Sequence, residues 1–321
     1  MRVLSGIQPT GRPHLGNYFG AMKQHIEMQK EHQAIYFIAD YHALTTITDK
    51  KELKNNILGV ALDYLALGLD PDRTIFFKQS DIPQVTELAW ILSTLTPMGL
   101  LERCHSYKDK IAHGISPNHG IFAYPVLMAA DILIYNSELI PVGKDQKQHI
   151  EVTRDIAIKF NLTFKEIFRI PEEYTIEQFA IVPGTDGKKM SKSYGNTIEI
   201  FADKNIIKKK VMSIVTDSSP VESPKDPDNC NVFALYSLFA STGEKEEMAQ
   251  TYRKGGMGYK VAKDALFNKI IGHFEPYREK RAYYEKNIQL VKDILIDGAV
   301  RAQVIAQNTI DKVRDAIGVN I

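Results

Sequence analysis

Arg2-Val3-Leu4-Ser5-Gly6-Ile7-Gln8-Pro9-Thr10-Gly11-Arg12-Pro13-His14-Leu15-Gly16-Asn17 opens the chain with three kinds of chemistry in a fixed order. Residues 2–8 read as a short strand, and Pro9 to Pro13 break it. A helical stretch then begins near Leu15 and runs towards Glu31, with Leu15, Tyr18, Phe19 and Met22 at helical spacing on one apolar face. His14-Leu15-Gly16-Asn17 therefore sits where a strand turns into a helix. Unpaired backbone N–H groups and the positive end of the helix dipole favour an anion there. Gly16 lets a ligand approach the backbone, and His14 and Asn17 can present donors to phosphate oxygens. Alone, these residues are better explained as ordinary helix caps.

Working outward, the strand–helix alternation repeats. Ala34 to Ala39 is a continuous apolar run ending at Asp40, as expected of a strand buried on both faces. Lys51 to Gly68 has helical periodicity, Arg73 to Lys78 reads as a strand, and Gln84 to Leu95 as a helix. Gly120 to Tyr135 is a strongly apolar helix that Pro125 is expected to interrupt, and it carries one acid, Asp131, among apolar neighbours. Glu138 to Val142 gives a further strand, followed by a helix over Lys147 to Phe160. The polar segment 103–120 reads as a long surface loop. This alternation predicts an α/β fold with a Rossmann-like, doubly wound parallel sheet over residues 1–200. Ligands in such sheets lie beyond the carboxyl ends of the strands, and the His14, Asp145 and Lys189 segments are each expected to follow one. Past residue 200 the pattern is helix upon helix (231–241, 244–254, 259–296 and 298–317). It predicts an all-α C-terminal domain over 201–321.

The second informative stretch is Gly187-Lys188-Lys189-Met190-Ser191-Lys192-Ser193-Tyr194-Gly195-Asn196. Glycines bound it, and Pro183 and Gly184 precede it, so it reads as a mobile surface loop. Its lysines are compact charges on flexible stems, suited to gripping phosphates, and its serines add hydrogen bonds.

Composition narrows the classes. The 321-residue chain is 44% hydrophobic and 25% charged, enough for a sizeable core, and its net charge of +1 gives no strong overall field. Binding to nucleic acid would need a local patch. Cys104 and Cys230 are far apart, against a disulfide framework or a zinc site. No signal-peptide core or membrane-length apolar run occurs, and the expected location is cytoplasmic, away from membranes.

Together, Ser5 to Gly11, His14 to Asn17, Tyr124 to Asp131, Pro141 to Asp155 and the lysine loop resemble the bacterial-type tryptophanyl-tRNA synthetase family, a class I aminoacyl-tRNA synthetase family. The resemblance extends over nearly the whole chain. It implies that ATP and L-tryptophan form tryptophanyl-adenylate and pyrophosphate, and that the tryptophanyl group then passes to the terminal ribose of tRNA(Trp).

By that resemblance His14, Asn17, Lys189 and Lys192 are the catalytic groups, acting on the triphosphate. Gln8, Pro9, Thr10, Gly16, Gly143, Lys144, Asp145, Ile181, Met190, Ser191 and Ser193 complete the ATP site. The family more often has Glu where this chain has Lys144. Mg²⁺ is expected to bridge the triphosphate, with no dedicated carboxylate cage in the protein. Leu4 and Met128 would pack on the indole, while Gln8, His42, Tyr124 and Gln146 would meet the amino and carboxylate groups. Asp131 is expected to accept the indole N–H, a donor that an acceptor-only carboxylate matches. Residues 201–321 would be the tRNA anticodon-binding domain, with Arg253, Lys254, Lys260 and Lys263 as candidate RNA contacts, and the protein a homodimer. Tyrosyl-tRNA synthetase shares the fold and both phosphate motifs, and a non-catalytic tryptophan or RNA sensor is a further alternative.

Overall fold

A computed structural model describes residues 1–104, 118–143, 146–174 and 182–320. Five strands, β1 (Arg2–Ile7), β2 (Gln33–Ile38), β3 (Ile75–Lys78), β4 (Leu139–Pro141) and β5 (Glu172–Tyr174), form one all-parallel sheet in the order β3-β2-β1-β4-β5. The first half of the chain builds outward from β1 on one side, and β4 and β5 build outward on the other. The order reverses at the β1/β4 pair, which is where such sheets hold ligands.

The helices are α1 (Leu15–Asn17), α2 (Lys23–Met28), α3 (Asp40–Ala43), α4 (Lys50–Leu67), α5 (Gln84–Ser93), α6 (Met98–Glu102), α7 (His119–Ile134), α8 (Lys147–Thr163), α9 (Lys204–Met212), α10 (Asn231–Ser237), α11 (Thr242–Lys254), α12 (Tyr259–Lys286) and α13 (Ile288–Ile317). Alternate strand residues feed two cores. Val3, Tyr36, Ile38 and Phe76 pack with α4 and the C-terminal helices, while Leu4, Ile35, Phe37 and Phe77 pack with α5, α7 and α8. Both faces are dry, which is why these strands read as unbroken apolar runs.

Three expectations change. Between α1 and α2 the helix widens into a π-type turn over Tyr18–Met22. Helix α7 runs through Pro125 without a break, from an Asn118 cap whose side chain accepts the Ile121 N–H at 2.9 Å. The last long helix breaks at Asn287, not near Gly298. Gly298 lies mid-helix because α13 rests against the backbone of β3. A Cβ there would stand 1.9 Å from the Phe76 carbonyl oxygen. The segment from 288 onward is thus fastened to the sheet edge, and Arg314 adds a two-pronged pair with Glu87 at 2.7 and 2.6 Å.

Ion pairs and main-chain bonds join the helical region to α4, to the segment after the lysine loop and to the turn after α1. Arg281 on α12 donates to the buried Asp63 on α4 at 2.6 Å. Arg278 donates to the Ile200 and Ala202 carbonyls at 2.7 and 2.8 Å. The Tyr18 hydroxyl meets His273 at 2.9 Å.

Candidate active site

A cavity of about 450 Å³ opens at the β1/β4 reversal. That is room for an amino acid and a nucleotide fragment rather than a macromolecule. Of the residues expected to hold ligands, Leu4, Gln8, Thr10, Asn17 and His42 line it from the β1 and β2 side. Tyr124, Met128 and Asp131 line it from α7, and Gly143, Gln146 and Lys192 from the opposite wall.

The deep end is built around Asp131, which is 2% exposed. The Gln79 amide nitrogen donates to both of its carboxylate oxygens at 2.9 Å, and His42 Nε2 donates to Oδ2 at 2.9 Å. Gln79 is itself locked, since its Oε1 accepts the backbone N–H of Tyr41 at 3.1 Å and of His42 at 3.4 Å. Burial pushes the Asp131 carboxyl above its ordinary range, and the His42 and Gln79 hydrogen bonds pull it back. A carboxylate offers about four acceptor positions, so three contacts from two donor groups leave capacity for a donor on the ligand. His42 thus stands behind Asp131 as well as on the cavity wall. Gln79 has no counterpart among the sequence-based expectations. Its one signal is its place, the first residue beyond β3, at the carboxyl end of a strand of the parallel sheet.

The end expected to meet phosphate is organised differently. His14 Nδ1 accepts the Asn17 N–H at 3.3 Å, and Asn17 Oδ1 accepts the His14 N–H at 3.1 Å, a reciprocal cap. The capping reading and the ligand reading are compatible. Burial, then the charge of Lys192, lowers the His14 pKa to about 4. With Nδ1 accepting, the neutral ring carries its proton on Nε2, the form that donates to an anion. Gly16 serves this cap directly: a Cβ there would meet the His14 ring at 2.9 Å.

The two stretches expected to bind phosphate meet. Lys192 Nζ donates to the Thr10 carbonyl at 2.7 Å, Leu15 N donates to Ile198 O at 3.0 Å, and Ile200 N donates to Pro13 O at 3.1 Å. The lysine segment does not extend a strand of the sheet; it closes a turn in which Pro183 and Lys189 form an isolated antiparallel bridge. Its organiser is Asn196, 2% exposed and also absent from the expectations. Asn196 accepts the Ser191 N–H at 2.8 Å and donates to Asp186 at 2.7 Å and to the Lys189 carbonyl at 3.1 Å. Burial, opposed by Glu199 and Asp63, lowers the Lys192 pKa.

Not every expected residue faces the cavity: His14, Gly16 and Ser191 are not among the residues that line it, and His14 is buried beside Asn17, which does. The Met190 side chain is 4% exposed and belongs to the core. Pro9 is buried beneath the turn, and Lys189 and Ser193 are exposed at the loop surface. Lys144, Asp145 and Ile181 lie outside the described residues. In the helical region Lys263 donates to the Met212 carbonyl at 2.9 Å and Arg253 pairs with Asp228 at 3.6 Å, while Lys254 and Lys260 are exposed.

The model of the family described as tRNA synthetases class I (W and Y) matches residues 1–275. The tryptophan–tRNA ligase of Fusobacterium nucleatum is 54% identical over 99% of this chain and 98% of its own length. This chain belongs to the tryptophanyl-tRNA synthetases. Another member, the tryptophanyl-tRNA synthetase of Campylobacter jejuni, is 50% identical in a crystal structure complexed with ADP and tryptophan. It superposes with a TM-score of 0.95 over 99% of this chain and 100% of that one. A tyrosyl-tRNA synthetase from Archaeoglobus fulgidus, 20% identical with a TM-score of 0.67 over 87% of this chain and 90% of that one, shares the fold. Among the described residues no helix is long and apolar enough to cross a membrane.

Proposed function

We propose that the protein activates L-tryptophan with ATP and transfers the tryptophanyl group to tRNA(Trp). The observation that carries this reading is one cavity with a buried carboxylate, Asp131, at its deep end and a lysine, Lys192, at its rim. The indole N–H would donate to Asp131, with Leu4 and Met128 against the ring. Tyr124, Gln146 and Gln8 would meet the amino and carboxylate groups. Leaving a buried carboxylate short of a donor is costly, so a phenylalanine side chain would be rejected strongly.

In activation a carboxylate oxygen of tryptophan attacks the α-phosphorus, and the bond to the bridging oxygen breaks as pyrophosphate leaves. No covalent nucleophile is required of the protein. Its part is alignment and stabilisation of charge on the departing group. His14 Nε2–H, Asn17 and Lys192 would supply donors, joined by Lys189 once the loop turns inward, and Gln8 to Thr10, Gly143 and the 190–193 segment would hold the nucleotide; the expected parts of Lys144, Asp145 and Ile181 fall outside the described residues. In transfer, a ribose hydroxyl of the tRNA attacks the acyl carbonyl and AMP leaves. The donors at this rim are cationic or neutral and suit phosphate oxygens, so Mg²⁺ would arrive on the triphosphate with oxygen and water ligands. Bound there, it would neutralise phosphate charge.

The same reading divides the chain into a catalytic portion, 1–200, and a helical anticodon-binding portion, 201–321, working in the cytoplasm as a homodimer. Large exposed apolar side chains such as Trp90 and Met98 are of the kind that self-association covers. The test is amino-acid-dependent ATP–pyrophosphate exchange with tryptophan and tyrosine in parallel, followed by tRNA charging. Exchange and charging with tryptophan alone are expected. Exchange with tyrosine would move the protein to the tyrosyl enzymes, and tryptophan binding without exchange would make it a sensor.

A further inference from the structure

Behind the expected amino-group end of the cavity lies a residue that neither motif contains. His149, on the first turn of α8, is 2% exposed, and its Nε2 hydrogen-bonds the hydroxyl of Tyr124. The Tyr124 ring lies edge-on between two histidines, 5.1 Å from His149 at 76° and 6.0 Å from His42 at 83°. Thr153 Oγ1 caps the His149 carbonyl at 2.8 Å and steadies that turn. Tyr124 lines the cavity and His149 stands behind it.

A phenol has one O–H to donate and lone pairs to accept with. Whichever partner takes the O–H decides what the oxygen offers the ligand. If a ring nitrogen takes it, the oxygen facing the cavity is acceptor-only and suits the N–H of an α-ammonium. If the ring nitrogen donates instead, the O–H turns into the cavity and suits an acceptor.

We propose that His149 is a positioning residue that takes the Tyr124 O–H on Nε2 and so fixes Tyr124 as an acceptor for the amino group of the amino-acid substrate. This rests on the reading that the cavity holds tryptophan. It makes His149 a determinant of amino acid over the desamino acid, a separate selection from that of the indole by Asp131.

The experiment compares the dissociation constants of L-tryptophan and indole-3-propionate, which keeps the indole and the carboxylate and lacks the amino group. A hydrogen bond to a charged group is worth about ten- to a hundredfold in affinity. His149→Leu is expected to weaken tryptophan by about that factor and indole-3-propionate by less than about threefold. Tyr124→Phe should do the same, the double variant should be no worse than Tyr124→Phe alone, and His149→Gln, with an amide oxygen to accept, should restore most of the loss. Equal loss for both ligands, or loss for neither, would overturn the proposal. Should His149→Leu not fold, ring ¹⁵N shifts of histidine in the wild type decide, because an unprotonated Nε2 is required and a protonated one contradicts the assignment. Wild-type protein that does not bind tryptophan at all would refute the underlying reading, a different failure from either of these.

Discussion

The two ends of the cavity are made of polar groups in opposite states. At the Asp131 end each donor is buried and already engaged with another side chain, and Gln79 braces both the carboxylate and the backbone at His42. At the end proposed to bind phosphate the groups are turned on the main chain. Lys192 holds a Thr10 carbonyl and His14 caps Asn17. A prebuilt network presents fixed chemistry to whatever enters, whereas groups satisfied by exposed carbonyls can exchange those bonds for phosphate at little cost. One end is suited to choosing a side chain and the other to following charge as it moves during reaction.

Four outcomes would break or sharpen that contrast. Asp131→Asn places an amide N–H₂ against the donors of His42 and Gln79, so kcat/KM for tryptophan in pyrophosphate exchange should fall about a thousandfold, mainly through weaker tryptophan binding. A variant with normal tryptophan affinity would erase the distinction between the ends. Lys192→Ala should reduce kcat about a hundredfold with little change in tryptophan KM, the mark of a group used in the transition state. If the KM rises and kcat holds, Lys192 binds substrate and transition state alike. Gln79→Leu should raise tryptophan KM about tenfold, because Asp131 loses the donor that braces both of its oxygens. A change in kcat alone would place Gln79 elsewhere in the mechanism.

The smallest effect concerns pH. His25, buried beside the cavity against Tyr64, has its pKa lowered to about 4 by burial, and His14 also lies at about 4. Both rings are neutral in the folded chain and take up protons near pH 6.5 when unfolded. Each therefore favours the unfolded state as pH falls from about 6.5 to about 4, and stability should decline across that window and level off below it. Denaturant midpoints measured at pH 7.5, 6 and 5 check this, and His25→Phe should flatten part of the slope.

Much of this was written locally. The strands are legible because both faces of a parallel sheet are covered, which leaves unbroken apolar runs such as Ala34 to Ala39. His14, Asn17 and Lys192 stand out because phosphate binding needs particular donors beside glycines in short stretches. Asp131 stands out as an acid among apolar neighbours. Gln79, Asn196 and His149 are silent in the sequence because their partners lie 52, 10 and 25 residues away and only the fold brings them together. Gly298 misleads for a related reason. Local propensity marks a break, while contact with the Phe76 carbonyl requires a helix without a side chain at that point. The helix through Pro125 is the same lesson: burial of α7 against the second core outweighs the missing N–H.

The most direct measurement removes the ligand's donor and leaves the protein untouched. β-(3-Benzothienyl)-L-alanine keeps the shape of tryptophan and replaces the indole N–H with sulfur. Calorimetry on the wild type should show it binding about a hundredfold more weakly than L-tryptophan, the consequence of leaving Asp131 without that donor. Equal affinity for the two would mean that the buried carboxylate does not read the indole, and the account of the deep end would fail.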